Sequence, residues 1–233
     1  AAARKAAAGI GDLPDKGIRA KIDLAVKETN QGFVNSGVNT KVRLVHAAEV
    51  SFDESEMTPS EALSEMKDGK IGSVHAWRDT YKADLVVMLA LYPREDVSGE
   101  SLGVGYVMSG RYLDKQTLVY PFEHLGYSIV GVNYATGYYT FAHEMGHNMG
   151  LCHYYDVSTI TAAESGGYAW KTTLFRSIMG PPAGVPRINY WSNPSVKYSG
   201  LATGGTGLDG SFVYGGNEAT VLNWTRAIVA KFR

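Results

Sequence analysis

The stretch "HEMGHNMGLCH", from His143 to His153, decides how this chain is read, because it gathers three of the six histidines and a glutamate into eleven residues. On a helix, His143 and His147 stand one turn apart on the same face, so both rings can reach one ion at about 2.0–2.1 Å if that ion is zinc. A straight helix cannot deliver His153 as well. Six further residues at about 1.5 Å each would carry it roughly 9 Å along the axis. The chain must turn back after His147, and Gly150 is the residue that can take positive φ there without steric penalty. Three neutral imidazoles leave a tetrahedral zinc with an open position for water, which is the arrangement of a catalytic rather than a closed structural site. Glu144, beside the first ligand, is placed to act on that water without ligating the metal.

Upstream of the motif, "YSIVGVNY" (Tyr127 to Tyr134) reads as a strand leading into the motif helix, and the glycine-broken "SLGVGYVMSG" (Ser101 to Gly110) as an irregular or edge strand. "DLVVMLALY" (Asp84 to Tyr92) is almost wholly apolar, as an interior strand covered on both faces would be. Thr58-Pro59-Ser60-Glu61 offers an N-cap, a proline at the first helical position and a capping-box glutamate for a helix to about Lys67. "KVRLVHAAEVSF" (Lys41 to Phe52) alternates like a strand, and "DKGIRAKIDLAVKETNQGF", from Asp15, predicts an amphipathic helix with Asp15 as N-cap. Beyond His153, Gly, Pro, Ser, Thr and Asn dominate until Val221, Trp224, Ile228 and Phe232 recur at helical spacing. The reading is a single catalytic domain over 10–233, breaking at the motif into 10–150 and 151–233, after a low-complexity end at 1–9.

Composition agrees with one domain: 233 residues, 45% hydrophobic and 19% charged. A net charge of −1 with no basic run argues against nucleic acid or an anionic membrane surface as partner. No apolar run reaches the roughly 18 residues needed to span a bilayer. A polypeptide or small-molecule partner and a monomeric chain are expected. The single cysteine, Cys152, excludes an intramolecular disulfide and reads as a small buried filler. His46, His75 and His124 are scattered and suit packing roles.

The motif, followed by "SIMG", whose Met179 comes after 25 residues intervening from His153, resembles the metzincin clan of zinc endopeptidases, whose Met-turn lies beneath the zinc. Within the clan "HEMGHNMG" looks most like the reprolysin-type branch. "RINYWSNPSVKYSG" (Arg187 to Gly200) is similar to the segment after the Met-turn in secreted bacterial members, including peptidyl-Asp metalloendopeptidases. Two positions depart from the pattern. Tyr154 stands where reprolysins usually carry Asp, with Asp156 two residues later, and Pro181 stands where some members carry a tyrosine ligand.

The resemblance implies an α+β fold. Its upper subdomain has a twisted, mostly parallel sheet and helices, and its smaller irregular lower subdomain holds the Met-turn and the C-terminal helix. It also implies secretion, one catalytic zinc on His143, His147 and His153, and a polypeptide substrate. Zinc-activated water would attack the scissile bond with Glu144 as general base. "SLGVGYVMSG" is the candidate edge for strand addition by substrate. Arg187, on the wall after the Met-turn, would favour an acidic residue after the scissile bond, with Lys171 and Arg176 as competitors and a solvated surface charge as the plainer alternative. No residue pattern assigns a calcium site. A zinc hydrolase of small amides and an inactive zinc-stabilised binding module stay open, although an intact Glu144 counts against the latter.

Overall fold

The computed structural model describes residues 14–53, 56–91, 102–108, 122–153, 167–180, 184–205 and 216–233. The low-complexity end at 1–9, Tyr154, Asp156 and Pro181 lie outside the described residues. The first helix, α1 (Pro14–Asn35), buries Ala25, Thr29 and Phe33, the four-residue step read from sequence. Asp15 falls inside this helix and is not its N-cap. Helix α2 (Pro59–Lys67) begins as expected: Thr58 accepts from the Glu61 amide while Glu61 reaches back to the Thr58 backbone. A further helix, α3 (Val74–Thr80), was not expected from sequence.

Three strands form the main sheet: β1 (Val86–Ala90), β2 (Gly103–Gly105) and β3 (Tyr127–Gly131), in the order β1-β3-β2. β1 runs parallel to β3, with Val86 opposite Tyr127, and β2 antiparallel, with Val104 opposite Ile129. The described sheet is therefore mixed. The apolar β1 lies at its edge and is mostly half-buried, whereas β3 is central and wholly buried. Burial on both faces follows the two-residue period. Tyr127, Ile129, Val86 and Met88 pack with Ala62, Leu63 and Met66 of α2, while Val130, Val87 and Leu89 pack with Phe33 of α1 and with the motif helix. The sheet thus lies between two layers.

Lys41 to Phe52 is not a strand. The backbone of Val42 is satisfied by a side chain instead: Asn30 Nδ2 donates to Val42 O at 2.9 Å, and Val42 N donates to Asn30 Oδ1 at 2.8 Å. Arg19 takes the Ala47 carbonyl at 3.2 Å. A cavity of about 650 Å³ is lined by residues 42–50 together with residues 85–90 of β1. Alternation in a sequence makes a strand only where a sheet edge takes up the backbone groups.

The motif helix, α4 (Thr140–Asn148), is buried along its whole length. Past it lie a small hairpin, β4 (Lys197–Tyr198) with β5 (Leu201–Ala202), and the terminal helix α5 (Glu218–Val229). α5 turns Val221, Leu222, Thr225 and Val229 inward, so Trp224, expected to pack, is exposed. α4 meets this half of the chain at Gly146. A Cβ there would stand 2.7 Å from Met179 Sδ and 2.8 Å from Trp191 Cζ3. Both partners are fully buried, and Trp191 stacks on Phe33 of α1 at 5.7 Å. Gly146→Ala should lower stability by about 1–3 kcal/mol through overpacking, read as a lower denaturant midpoint with an unchanged slope.

Candidate metal centre

α4 ends where the sequence requires a turn. Gly150 has φ 94°, Leu151 N donates to Gly146 O at 3.0 Å, and Gly150 N to His147 O at 3.0 Å. These two bonds and the left-handed glycine are a Schellman closure. The reversal does two things. It brings the Leu151 carbonyl to 2.8 Å from His147 Nδ1, and it sends Cys152 and His153 back alongside residues 167–169, where Cys152 N donates to Gly167 O and Ala169 N to His153 O. Cys152 is half-buried, so it is a less complete filler than expected.

The three ring nitrogens converge. His143 Nε2 lies 2.9 Å, and His147 Nε2 3.0 Å, from His153 Nε2. His143 Nδ1 faces the Ile178 carbonyl at 2.8 Å. A carbonyl only accepts, so Nδ1 carries the proton in His143 and in His147, and each Nε2 presents a lone pair to the common point. A single proton on His153 Nε2 could serve both of those lone pairs only by sharing, whereas a cation at the common point would take all three nitrogens. The donor set suits zinc. Burial gives the same preference: it lowers the His143 pKa well below its ordinary value, and, with a smaller effect from His153, brings that of His147 to about 4. His153, the exposed member, is lowered by burial and by the Arg187 charge.

Glu144 is buried beside the ligands, with Oε1 3.9 Å from His143 Nε2. Burial pushes its pKa up to about 8, while Arg187 pulls it down; a dication bound nearby would favour the ionised form. The edge strand β2 closes over this side chain because it carries glycine. A Cβ on Gly103 would stand 2.7 Å from Glu144 Cγ and 2.9 Å from its Oε1. The glycines that made "SLGVGYVMSG" look irregular thus leave room for the carboxyl.

Met179 is fully buried and packs against α4 at Gly146, the residue before His147. Arg187 bridges the two halves of the site: Nη1 donates to Tyr138 O at 2.9 Å, just before α4, and Nη2 to Gly180 O at 3.1 Å, just after Met179. Its Nε is buried without a partner among the described residues. Burial and the neighbouring Arg176 bring its pKa down to about 10. Arg176 is committed to Val185 O and to the same Gly180 carbonyl, while Lys171 is exposed. His46 stacks on Tyr81 and His75 on Tyr127, away from the centre.

One residue escaped the sequence reading. Asn148, the residue after His147, has its Nδ2 within 2.9 Å of Tyr106 O, 3.0 Å of Tyr127 O and 3.3 Å of Leu125 O, three carbonyls that share its two hydrogens and tie α4 to the end of the sheet. Its only sequence signal is a polar side chain on a helix face that also carries apolar residues.

Residues 14–205 match the family model of metallo-peptidase family M12B, reprolysin-like. The chain is 32% identical over 220 residues to a peptidyl-Asp metalloendopeptidase of Xanthomonas campestris pv. campestris, covering 91% of this chain and 46% of that protein. It is also 32% identical over 222 residues to the enzyme of the same name from Stenotrophomonas maltophilia strain R551-3, covering 91% and 47%. The chain therefore spans about half the length of the curated relatives it matches. Among solved structures, a chain described as "Structure of a chaperone-substrate complex" is similar with a TM-score of 0.63 at 18% identity, covering 95% of this chain and 36% of that one, a likeness of fold alone. The turn at Gly150, the convergent histidines and these matches lead to one conclusion: this chain belongs to the reprolysin-like M12B metallopeptidase family.

Proposed function

We propose that this chain is the catalytic unit of a zinc-dependent endopeptidase that acts outside the cell and prefers an acidic residue after the scissile bond. The observation that carries the proposal is the convergence of three Nε2 atoms, two of them held unprotonated by their Nδ1–carbonyl bonds, beside a buried glutamate. His143, His147 and His153 would hold the ion. Zinc bound there supplies a Lewis acid, which makes a water more acidic and polarises a carbonyl. Glu144 takes the proton from the attacking water and returns it to the leaving amine. The Ile178 and Leu151 carbonyls keep the imidazoles in the correct tautomer, and Gly103 leaves the carboxyl free to approach.

β2 pairs only with β3 among the described residues, so its other edge suits an extended peptide added as a strand. Such a peptide would pass beside Glu144. Arg187, tied to Tyr138 just before α4 and to Gly180, supports the acidic preference: its charge is close enough to influence His143, Glu144 and His153, and its Nε–H has no partner among the described residues. The names of the relatives, which specify Asp, point the same way. No described helix is long and apolar enough to cross a membrane. An intact base beside the ligand cluster favours this reading over an inactive binding module, and a strand edge unpaired among the described residues favours a peptide over a small amide.

Three outcomes are expected. Glu144→Ala should keep about one zinc per chain by metal analysis yet lose peptide cleavage on the order of 10²–10⁴-fold; near-normal turnover would remove Glu144 from the mechanism. Peptides with Asp after the scissile bond should exceed matched Asn peptides in kcat/KM by roughly tenfold, or about 1.4 kcal/mol, and Arg187→Ala should lose most of that difference. Equal rates in the wild type would sink the acidic preference. Finally, His147 has a lowered folded pKa, so its stabilising contribution is complete above the unfolded value and disappears as pH falls toward about 4. Metal content after dialysis should stay flat from pH 7 through about 6.5, the ordinary histidine value, and fall only toward about pH 4–5. Release centred at or above pH 6.5 would contradict the burial of the ligands.

A further inference from the structure

Glu218, the first residue of α5, is a fully buried carboxyl that the chemistry above does not use. Its Oε2 accepts from Ser192 N at 2.5 Å, and its Oε1 from Ser177 Oγ at 3.4 Å. Its own amide donates to Ser192 Oγ at 2.9 Å, and that hydroxyl donates to Tyr168 O at 2.8 Å. Ser177 Oγ in turn accepts from Trp170 N at 3.0 Å. One side chain therefore joins α5 to two segments that reach the metal centre. Ser177 immediately precedes Ile178, whose carbonyl accepts from His143, and Met179 follows, packed against Gly146 of α4. Ser192 immediately follows Trp191, the ring packed against Gly146 of α4. Ile178 N donates to Tyr190 O at 2.9 Å, so the two segments are also bonded to each other above the carboxyl.

A carboxyl in this position is costly to bury, and an apolar residue could fill the volume without that cost. Its oxygens do what an apolar residue cannot: they fix the Ser192 amide and the Ser177 hydroxyl. We propose that Glu218 is a positioning residue of the metal centre, acting through Ser177 and Ser192 to fix the Ile178 carbonyl that orients His143. This rests on the reading of the three histidines as zinc ligands. Outer partners of metal ligands typically matter by about 10–100-fold in metal affinity.

The test compares the wild type with Glu218→Gln, Glu218→Ala and Ser177→Ala. It measures the rate at which each zinc-loaded protein loses metal to a chelator, and amide exchange at Ile178 and Met179 in each zinc-free protein. Glutamine keeps an acceptor oxygen and should stay within about threefold of wild type. Alanine at 218 should speed zinc loss about 10–100-fold and raise exchange at Ile178 and Met179. Ser177→Ala should change both in the same direction with a smaller amplitude, and lower the melting temperature by only a few degrees through the unpaired Trp170 amide. A folded Glu218→Ala with wild-type zinc loss and exchange would overturn the proposal, and so would a glutamine variant no better than alanine. If Glu218→Ala does not fold, wild-type behaviour of Ser177→Ala overturns it. A wild type that takes up no zinc would refute the metal-site reading instead, and the zinc-free exchange data would still decide the role of Glu218.

Discussion

Two hydrogen bonds from imidazole to backbone, His143 Nδ1 to Ile178 O and His147 Nδ1 to Leu151 O, are the constraint on which the rest of this structure depends. Each sets a tautomer and a ring plane, and with them the direction of a lone pair. One needs a helix that stops at a defined residue, and the other needs a distant segment delivered to the helix face. Much of the remaining architecture serves these two requirements. The Schellman closure at Gly150 meets the first. The second is met where Met179 and Trp191 fit against Gly146 with no room for another carbon.

The sheet contributes by burial and by its edge. β3 is covered on both faces, and α4 packs on one of them, so the ligand helix lies in surroundings that discourage charge on its own histidines and carboxyl. Asn148 fastens the far end of α4 to three carbonyls at one end of the sheet. Placement of the edge strand and placement of the ligands are consequently one problem. β2 solves its share by carrying glycine where Glu144 rises against it.

The parts legible in the sequence were those governed by local rules. The spacing of His143, His147 and His153 and the glycine between them implied a reversal that the chain makes at Gly150, and Thr58 to Glu61 cap α2 as read. The parts that were not legible depend on partners far away in the chain. Residues 41–52 alternate like a strand, but Asn30 of α1 takes the backbone groups of Val42. Trp224 repeats at helical spacing, yet the inward arc of α5 passes through Leu222 and Thr225. Asp84 to Tyr92 is apolar enough for the middle of a sheet, but among the described strands β3 holds that place and β1 the edge. Arg187 was singled out for its charge, whereas its two bonds to Tyr138 and Gly180 also make it a tie across the site, which no sequence pattern announces.

The two imidazole bonds differ in one respect that bears on how the centre comes together. The partner of His147 is 4 residues away, and the partner of His143 is 35 residues away. Chain closure over the longer span costs on the order of 2 kcal/mol more in entropy. His147 is therefore oriented as soon as its helix and the following turn exist, from information carried by a few neighbouring residues. His143 acquires its orientation only when a separate stretch of polypeptide has docked, so its ring is a reporter of whether the two halves of the molecule have been assembled.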